Sequence, residues 1–201
     1  MKIKKIIVGP LKANCYIVYD ESIRKGVIID PGGSSDKIIK SAKGLKIPYI
    51  LNTHGHFDHI IANGPIKKHF KAKIAITTDD SKMITSYLKN YSFILGFARV
   101  KSPKAELLLS DRQLIKVNNL KFKVIIVPGH TKGSAAYLIN NHLFTGDILF
   151  KGAHGMTLNR ADGRRIIKGI KEKILVLPGN TIVHPGHEGD TTIAEERKRY
   201  V

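Results

Sequence analysis

Short apolar runs rich in Ile, Val and Tyr, each closed by a turn signal, fill the first thirty positions. Residues 3–8, 15–19 and 26–30 carry these runs, with Gly9-Pro10 after the first. The pattern predicts three antiparallel strands. "PGGSSDKIIKSAKGL" then supplies a turn and an amphipathic helix capped near Ser34 or Ser35. Residues 47–52 read as another strand that runs straight into "THGHFDH". A helix is predicted over 61–71, with Pro65 tolerable only near its first turns. Strand 73–77 and a helix over 79–90 follow, leading into the loosely patterned "YSFILGFARVKSP".

The second half repeats the theme. Residues 113–117, 120–127, 134–139 and 143–145 read as strands, with Asn118-Asn119 and Asn140-Asn141 as hairpin turns. Helices are predicted over 163–174 and 192–199, around a strand at 181–184. Two β-then-α halves with no low-complexity linker predict one layered α+β domain over residues 1–201, its sheets packed on each other and its helices outside.

Composition narrows the class. A chain of 201 residues, 42% hydrophobic and 25% charged, reads as soluble and globular. The N-terminus is basic and then apolar, but Ile6-Ile7-Val8 is too short for a secretion signal. No apolar stretch approaches a membrane span, so the expected location is the cytoplasm, with no membrane partner. The single cysteine, Cys15, sits among apolar residues of a predicted strand and reads as a buried small hydrophobe. The net charge of +18 raises a nucleic-acid reading. Its lysines are spread along the whole chain, however, which favours a solvated basic surface that would welcome an acidic substrate. The best local basic face is Arg164, Lys168 and Lys171, with Arg165 beside it.

The candidate chemistry lies in "HGHFDH". His54 and His56 are two apart, so in an extended segment their imidazoles project the same way and can share one metal ion. Asp58 and His59 are offset from that pair and can face a different point as the chain turns. Each set is too small to hold a metal alone. Three further donors lie just beyond predicted strands: His130 in "VPGHTKGS", Asp147 in "FTGDILF" and His187 in "HPGHEGD". Pro ends strand pairing, Gly permits the tight turn, and His is presented at the sheet edge. Nitrogen and oxygen donors of this kind suit zinc and related ions. His154 follows Asp147 in a loop expected to border the site.

Taken in order, "THGHFDHI", "PGHTKGS", "FTGDILF" and "PGHEGDTTIAEER" resemble the metallo-β-lactamase superfamily, and within it the glyoxalase II-like (hydroxyacylglutathione hydrolase-like) enzymes. "NCYIVYDESIRKGVIIDPGG" is similar to that family's opening strands. The resemblance implies a four-layer αβ/βα sandwich with two divalent metal ions at one edge, most readily Zn2+, with Fe or Mn as alternatives. It implies that His54, His56 and His130 serve the first metal, Asp58, His59 and His187 the second, and Asp147 both. Asp30 stands at the position of the family's loop-bracing aspartate, and His184 is a strand residue or a group supporting the ligands. Arg160 and Asp162 are the candidates for substrate contacts after Asp147.

The implied reaction is thioester hydrolysis. Two dications sharing a water lower its pKa enough to provide hydroxide near neutrality, and that hydroxide attacks the thioester carbonyl. Asp58 would also orient or accept the proton of the nucleophile, making it the one ligand with a catalytic role of its own. The partner is then a small-molecule thioester or another anionic substrate. Three alternatives share the residues: a mononuclear-iron persulfide dioxygenase, a phosphodiesterase or nucleic-acid-directed hydrolase, and a non-catalytic RNA-binding protein.

Overall fold

In the computed structural model, which describes residues 1–200, strand β2 (Ala13–Asp20) sends Cys15 and Ile17 to one side and Tyr16 and Val18 to the other. Both sides are buried, which is why this strand reads as a continuous apolar run. It belongs to a six-stranded sheet in chain order: β1 (Lys2–Val8), β2, β3 (Lys25–Ile29), β4 (Lys46–Leu51), β5 (Lys73–Thr77) and β6 (Leu107–Leu109). The first three strands pair antiparallel, and β3 to β6 pair parallel.

The second sheet also has six strands: β7 (Leu114–Val117), β8 (Leu120–Ile126), β9 (Ala135–Ile139), β10 (His142–Gly146), β11 (Ile182–Pro185) and β12 (Thr191–Thr192). Tyr16, Ile29, Phe122, Tyr137 and Phe144 meet between the sheets. Helices α1 (Ser35–Ser41) and α2 (Asn63–Phe70) cover the outer face of the first sheet through Ile38 and Ile66. Helices α3 (Arg160–Gly169) and α4 (Ile193–Tyr200) cover the second through Ile166 and Ile193. A wider, π-type turn carries α3 on through Ile174. The result is a four-layer αβ/βα sandwich of the α+β class. Among the described residues, no helix is long and apolar enough to cross a membrane.

The helix predicted over 79–90 does not form. Those residues make successive tight turns, with Met83 N donating to Asp80 O and Ser86 N to Met83 O. Side chains compete for the backbone here, as Ser81 Oγ donates to Thr78 O and Thr85 Oγ1 to Lys82 O. Asp80 itself is committed to distant loops. The segment continues over the histidine cluster, with Phe97 against Phe57 at 4.6 Å and Tyr91 against His56 at 5.1 Å between ring centroids.

Strand direction gathers the loops. Strands β3, β4 and β5 run parallel, and β8, β10 and β11 share one direction through the antiparallel β9. The segments following these strands therefore meet at one edge of the sandwich. The second sheet is further tied across β10, β11 and the loop before β12 by a chain of polar contacts. His142 Nδ1 lies 2.9 Å from His184 Nε2, and His184 Nδ1 lies 2.9 Å from Asp190 Oδ2. Partial burial pushes the Asp190 carboxyl up, but its bond with His184 and the nearby Lys5 hold it below the usual range. A depressed folded pKa means the stabilisation is complete above the unfolded value, about 3.9, and is lost as pH falls through the folded one. The difference in urea midpoint between wild type and Asp190→Asn should be full above about pH 5 and close as pH drops below the unfolded value.

Candidate metal centre

Three of the imidazoles at the edge are oriented from behind. Asp30 follows β3 with φ 48°, and its Oδ1 accepts from Thr53 N at 2.8 Å. Its Oδ2 accepts from Thr53 Oγ1 at 2.6 Å and from His59 Nδ1 at 3.0 Å. Because the Thr53 hydroxyl spends its proton on Asp30, its oxygen accepts from His54 Nδ1 at 3.0 Å. His130 Nδ1 donates to Met156 O at 2.8 Å. In His54, His59 and His130 the other nitrogen, Nε2, is thereby left as a lone-pair donor.

Those lone pairs converge. The ligand atoms of His54, His56 and His130 lie within 4.8 Å of one another, as do those of Asp58, His59 and His187. Asp147 stands between the sets. Its Oδ1 is 3.4 Å from His59 Nε2, and its Oδ2 is 3.5 Å from His130 Nε2 and 3.8 Å from His187 Nε2. His59 Nε2 and Asp147 Oδ1 are buried with no hydrogen-bond partner. Orphaned atoms of this kind are costly unless a cation lies between them, so the donor set fits metal. Gly186 completes the cradle, since a Cβ there would overlap Asp147 Oδ1 and His59 Cε1. Asp30, His54 and His59 also cluster, but Asp30 is fully used by Thr53 and His59 and acts as a brace.

Electrostatics follow the same layout. Burial, then the neighbouring His59, holds His54 well below the usual imidazole range, and burial with His130 lowers His56 to about 3. Both are neutral and ready to ligate. Burial opposes ionisation of Asp58 and Asp147, yet His59 and the other imidazoles hold both carboxyls below their ordinary values. Burial likewise opposes a charge on His59, but Asp58, Asp147 and Asp30 raise it well above the usual range, so its Nε2 offers a lone pair only once a cation displaces the proton held there.

The other anticipated residues lie elsewhere. His184 faces His142 and Asp190 on β11 and not the cluster. His154 lines a separate cleft with Lys171 and Arg199. Arg160 opens α3 on the surface, outside the clefts that reach the ligands. Asp162 lies in the first turn of that helix, its N–H donating to the capping Asn159 Oδ1 at 3.0 Å and its carboxylate accepting from Asn159 and Arg165.

With this geometry in view, comparison with known proteins is decisive. The profile of the metallo-β-lactamase superfamily matches residues 8–193. The chain belongs to the metallo-β-lactamase superfamily. It is 31% identical to hydroxyacylglutathione hydrolase GloC of Haemophilus influenzae, over 98% of this chain and 96% of that one. The crystal structure of BLEG-1 B3 metallo-β-lactamase superposes with a TM-score of 0.93 at 33% identity, covering 98% of this chain and 97% of that one. TTHA1623, solved in a di-iron-bound form, superposes with a TM-score of 0.84 at 30% identity, covering 98% of each chain. The chain is accordingly a metallo-hydrolase, and its His/Asp clusters could hold divalent metal.

Two residues that hold this superfamily site together escaped the sequence reading. Asp80, fully buried, accepts from Gly55 N at 3.0 Å and Thr131 Oγ1 at 2.7 Å through Oδ2, and from Gly133 N at 2.9 Å through Oδ1. It clamps the "HGH" loop to the loop of His130. Asn14, at the start of β2, donates from Nδ2 to Pro185 O and Glu188 O, both at 3.0 Å, and so backs the turn bearing His187. Asp80 obeys the rule that marked His130 and Asp147, a polar donor or acceptor just past a strand.

Asp80→Ala removes the acceptor of three buried donors, of which the Thr131 hydroxyl alone has another partner, Ser134 Oγ at 2.7 Å. It should cost roughly 2–4 kcal/mol in urea unfolding and weaken metal binding about 10–100-fold by equilibrium competition, without touching a ligand. Gly186→Ala should fold and still bind metal through His54, His56 and His130. Elemental analysis should show the share held by Asp58, His59 and His187 lost; unchanged stoichiometry would show that the cradle tolerates a methyl group.

Proposed function

We propose that the chain is a thioesterase of the hydroxyacylglutathione hydrolase type, working with two divalent ions, zinc first and iron or manganese as substitutes. The observation that carries this reading is the Asp147 carboxylate, which reaches toward both imidazole sets. His54, His56 and His130 would hold one ion, Asp58, His59 and His187 the other, and Asp147 both. The likeness to GloC over nearly the whole chain supports the choice of bond. When bound, such ions polarise a carbonyl oxygen and acidify water enough to serve as a nucleophile near neutrality.

The chain's own residues do the rest. Asp58 Oδ2, 3.2 Å from His187 Nε2 and 3.5 Å from His59 Nε2, is kept ionised and can orient or accept the proton of the attacking water. A cleft of about 410 Å³ opens on His56, Asp58, His130 and Asp147 and is walled by Leu11, Tyr91, Ile94, Leu95, Met156 and Leu158. That apolar wall excludes water and suits the acyl or thiol arm of a thioester better than a polyanion. In this reading the reaction is cytoplasmic, a small-molecule substrate is favoured over nucleic acid, and no membrane takes part.

A panel of lactoylglutathione, coenzyme A thioesters, a cephalosporin and a bis-aryl phosphodiester tests the proposal. Thioester turnover should exceed the other two by about two orders of magnitude in kcat/KM. Asp147→Ala should lower both metal content and turnover, the latter at least about 100-fold. The similarity to BLEG-1 gives the cephalosporin particular weight: preferential β-lactam hydrolysis would sink the thioesterase assignment. So would one bound iron with oxygen-dependent persulfide oxidation.

A further inference from the structure

The edge opposite the metal centre, where β3 and β4 begin, holds a cleft of about 930 Å³. It is larger than the clefts of about 660, 410 and 370 Å³ that reach the His/Asp cluster. Lys25, Lys40, Lys43, Lys46, Lys116 and His69 line it, and no Asp or Glu does. The lysines come from α1 and the turn after it, from β3, β4 and β7, so the two sheets contribute cations to one concavity.

Like charges brought together in this way repel unless something neutralises them. Among the described residues, none of these five lysines forms an ion pair, and the one hydrogen bond from their side chains is Lys25 Nζ to the neutral Asn118 Oδ1 at 3.4 Å. Nor are they used as helix caps. The carbonyls closing α1 are served from outside the cleft: Ser41 O accepts from Lys4 Nζ, and Lys43 O and Gly44 O accept from Arg24. The contrast with α3 is informative. There Arg165 pairs with Asp162 and Lys168 with Glu172, so the basic face singled out by helical spacing brings its own counter-charges. The floor of the cleft is apolar, formed by Ile39, Leu45, Ile47 and Phe70.

We infer that this cleft is a second binding site, separate from the metal centre, for a small polyphosphorylated ligand of the nucleoside di- or triphosphate class. Lysines on the rim meet the phosphates, each as a compact point charge, while the apolar floor takes the base and sugar. The volume fits a small ligand. A concavity bordered by two helix ends and a hairpin favours that ligand over a long nucleic-acid strand.

Calorimetry on the metal-loaded protein with ATP, inorganic triphosphate and a single-stranded oligoribonucleotide tests the inference. ATP should bind one per chain, more tightly than triphosphate. Its affinity should fall at least about tenfold in Lys46→Glu/Lys116→Glu. The milder Lys46→Gln/Lys116→Gln, with an unchanged melting temperature, should weaken it in the same direction. Lys168→Glu/Lys171→Glu on the other helix layer should leave it unaltered. Equal ATP affinity in wild type and both cleft variants would overturn the site, since ATP would then be held at the metals or by diffuse charge. Absence of saturation below about 1 mM would also overturn it. Triphosphate binding as tightly as ATP would remove the nucleoside, and oligoribonucleotide binding tighter than ATP through Lys46 and Lys116 would make the cleft part of an RNA surface instead.

Discussion

A buried carboxylate that is fully hydrogen-bonded is a rigid object, and Asp30 is the one on which this site is built. It joins the end of β3 to the loop after β4 and accepts three bonds, from Thr53 N, Thr53 Oγ1 and His59 Nδ1. Removing any of them would leave a charge or a donor stranded in the interior, so the arrangement has few alternatives. Through Thr53 it also fixes the ring of His54. One acid thus sets two imidazoles belonging to different ligand sets.

Asp80 repeats the device on the other side of the cluster. Where Asp30 works within the first sheet, Asp80 spans both, binding Gly55 from one loop and Thr131 and Gly133 from another. Parallel strands bring the loops to the same edge, but proximity alone leaves flexible ends several ångströms apart. Buried acids convert proximity into geometry. The same strand directions have the opposite result at the other edge, where strands begin. There lysines line a cleft without carboxylates.

Much of this was legible in the chain. Continuous apolar runs marked strands buried on both faces, and polar donors just past those runs marked the edge where loops converge. His54, His56, Asp58, His59, His130 and Asp147 come together on that logic, with His187 arriving through its Pro-Gly turn, whereas Asp30 was marked only by the family resemblance. Legibility failed where tertiary bonds overrule local pattern. Residues 79–90 carry helix-compatible spacing, yet Asp80 is pinned by distant loops and hydroxyl side chains take the backbone into turns. Strands β6 and β12 are too short to show a period and exist through pairing with β5 and β11. In "LNRAD" the signal was present but misread: Asn159 and Asp162, three apart, form a helix-start pair, and that holds Arg160 on the surface.

Cys15 acquires a use from its position. It lies in the first core layer with no exposed surface, and burial, with Asp30 nearby, pushes its thiol well above the ordinary range. A folded molecule therefore presents no thiolate to an electrophilic dye, whereas an unfolded one presents a single site per chain. The wild-type protein carries an intrinsic reporter of its own global opening, readable by mass without introducing any label site and without reference to what the metal edge is doing.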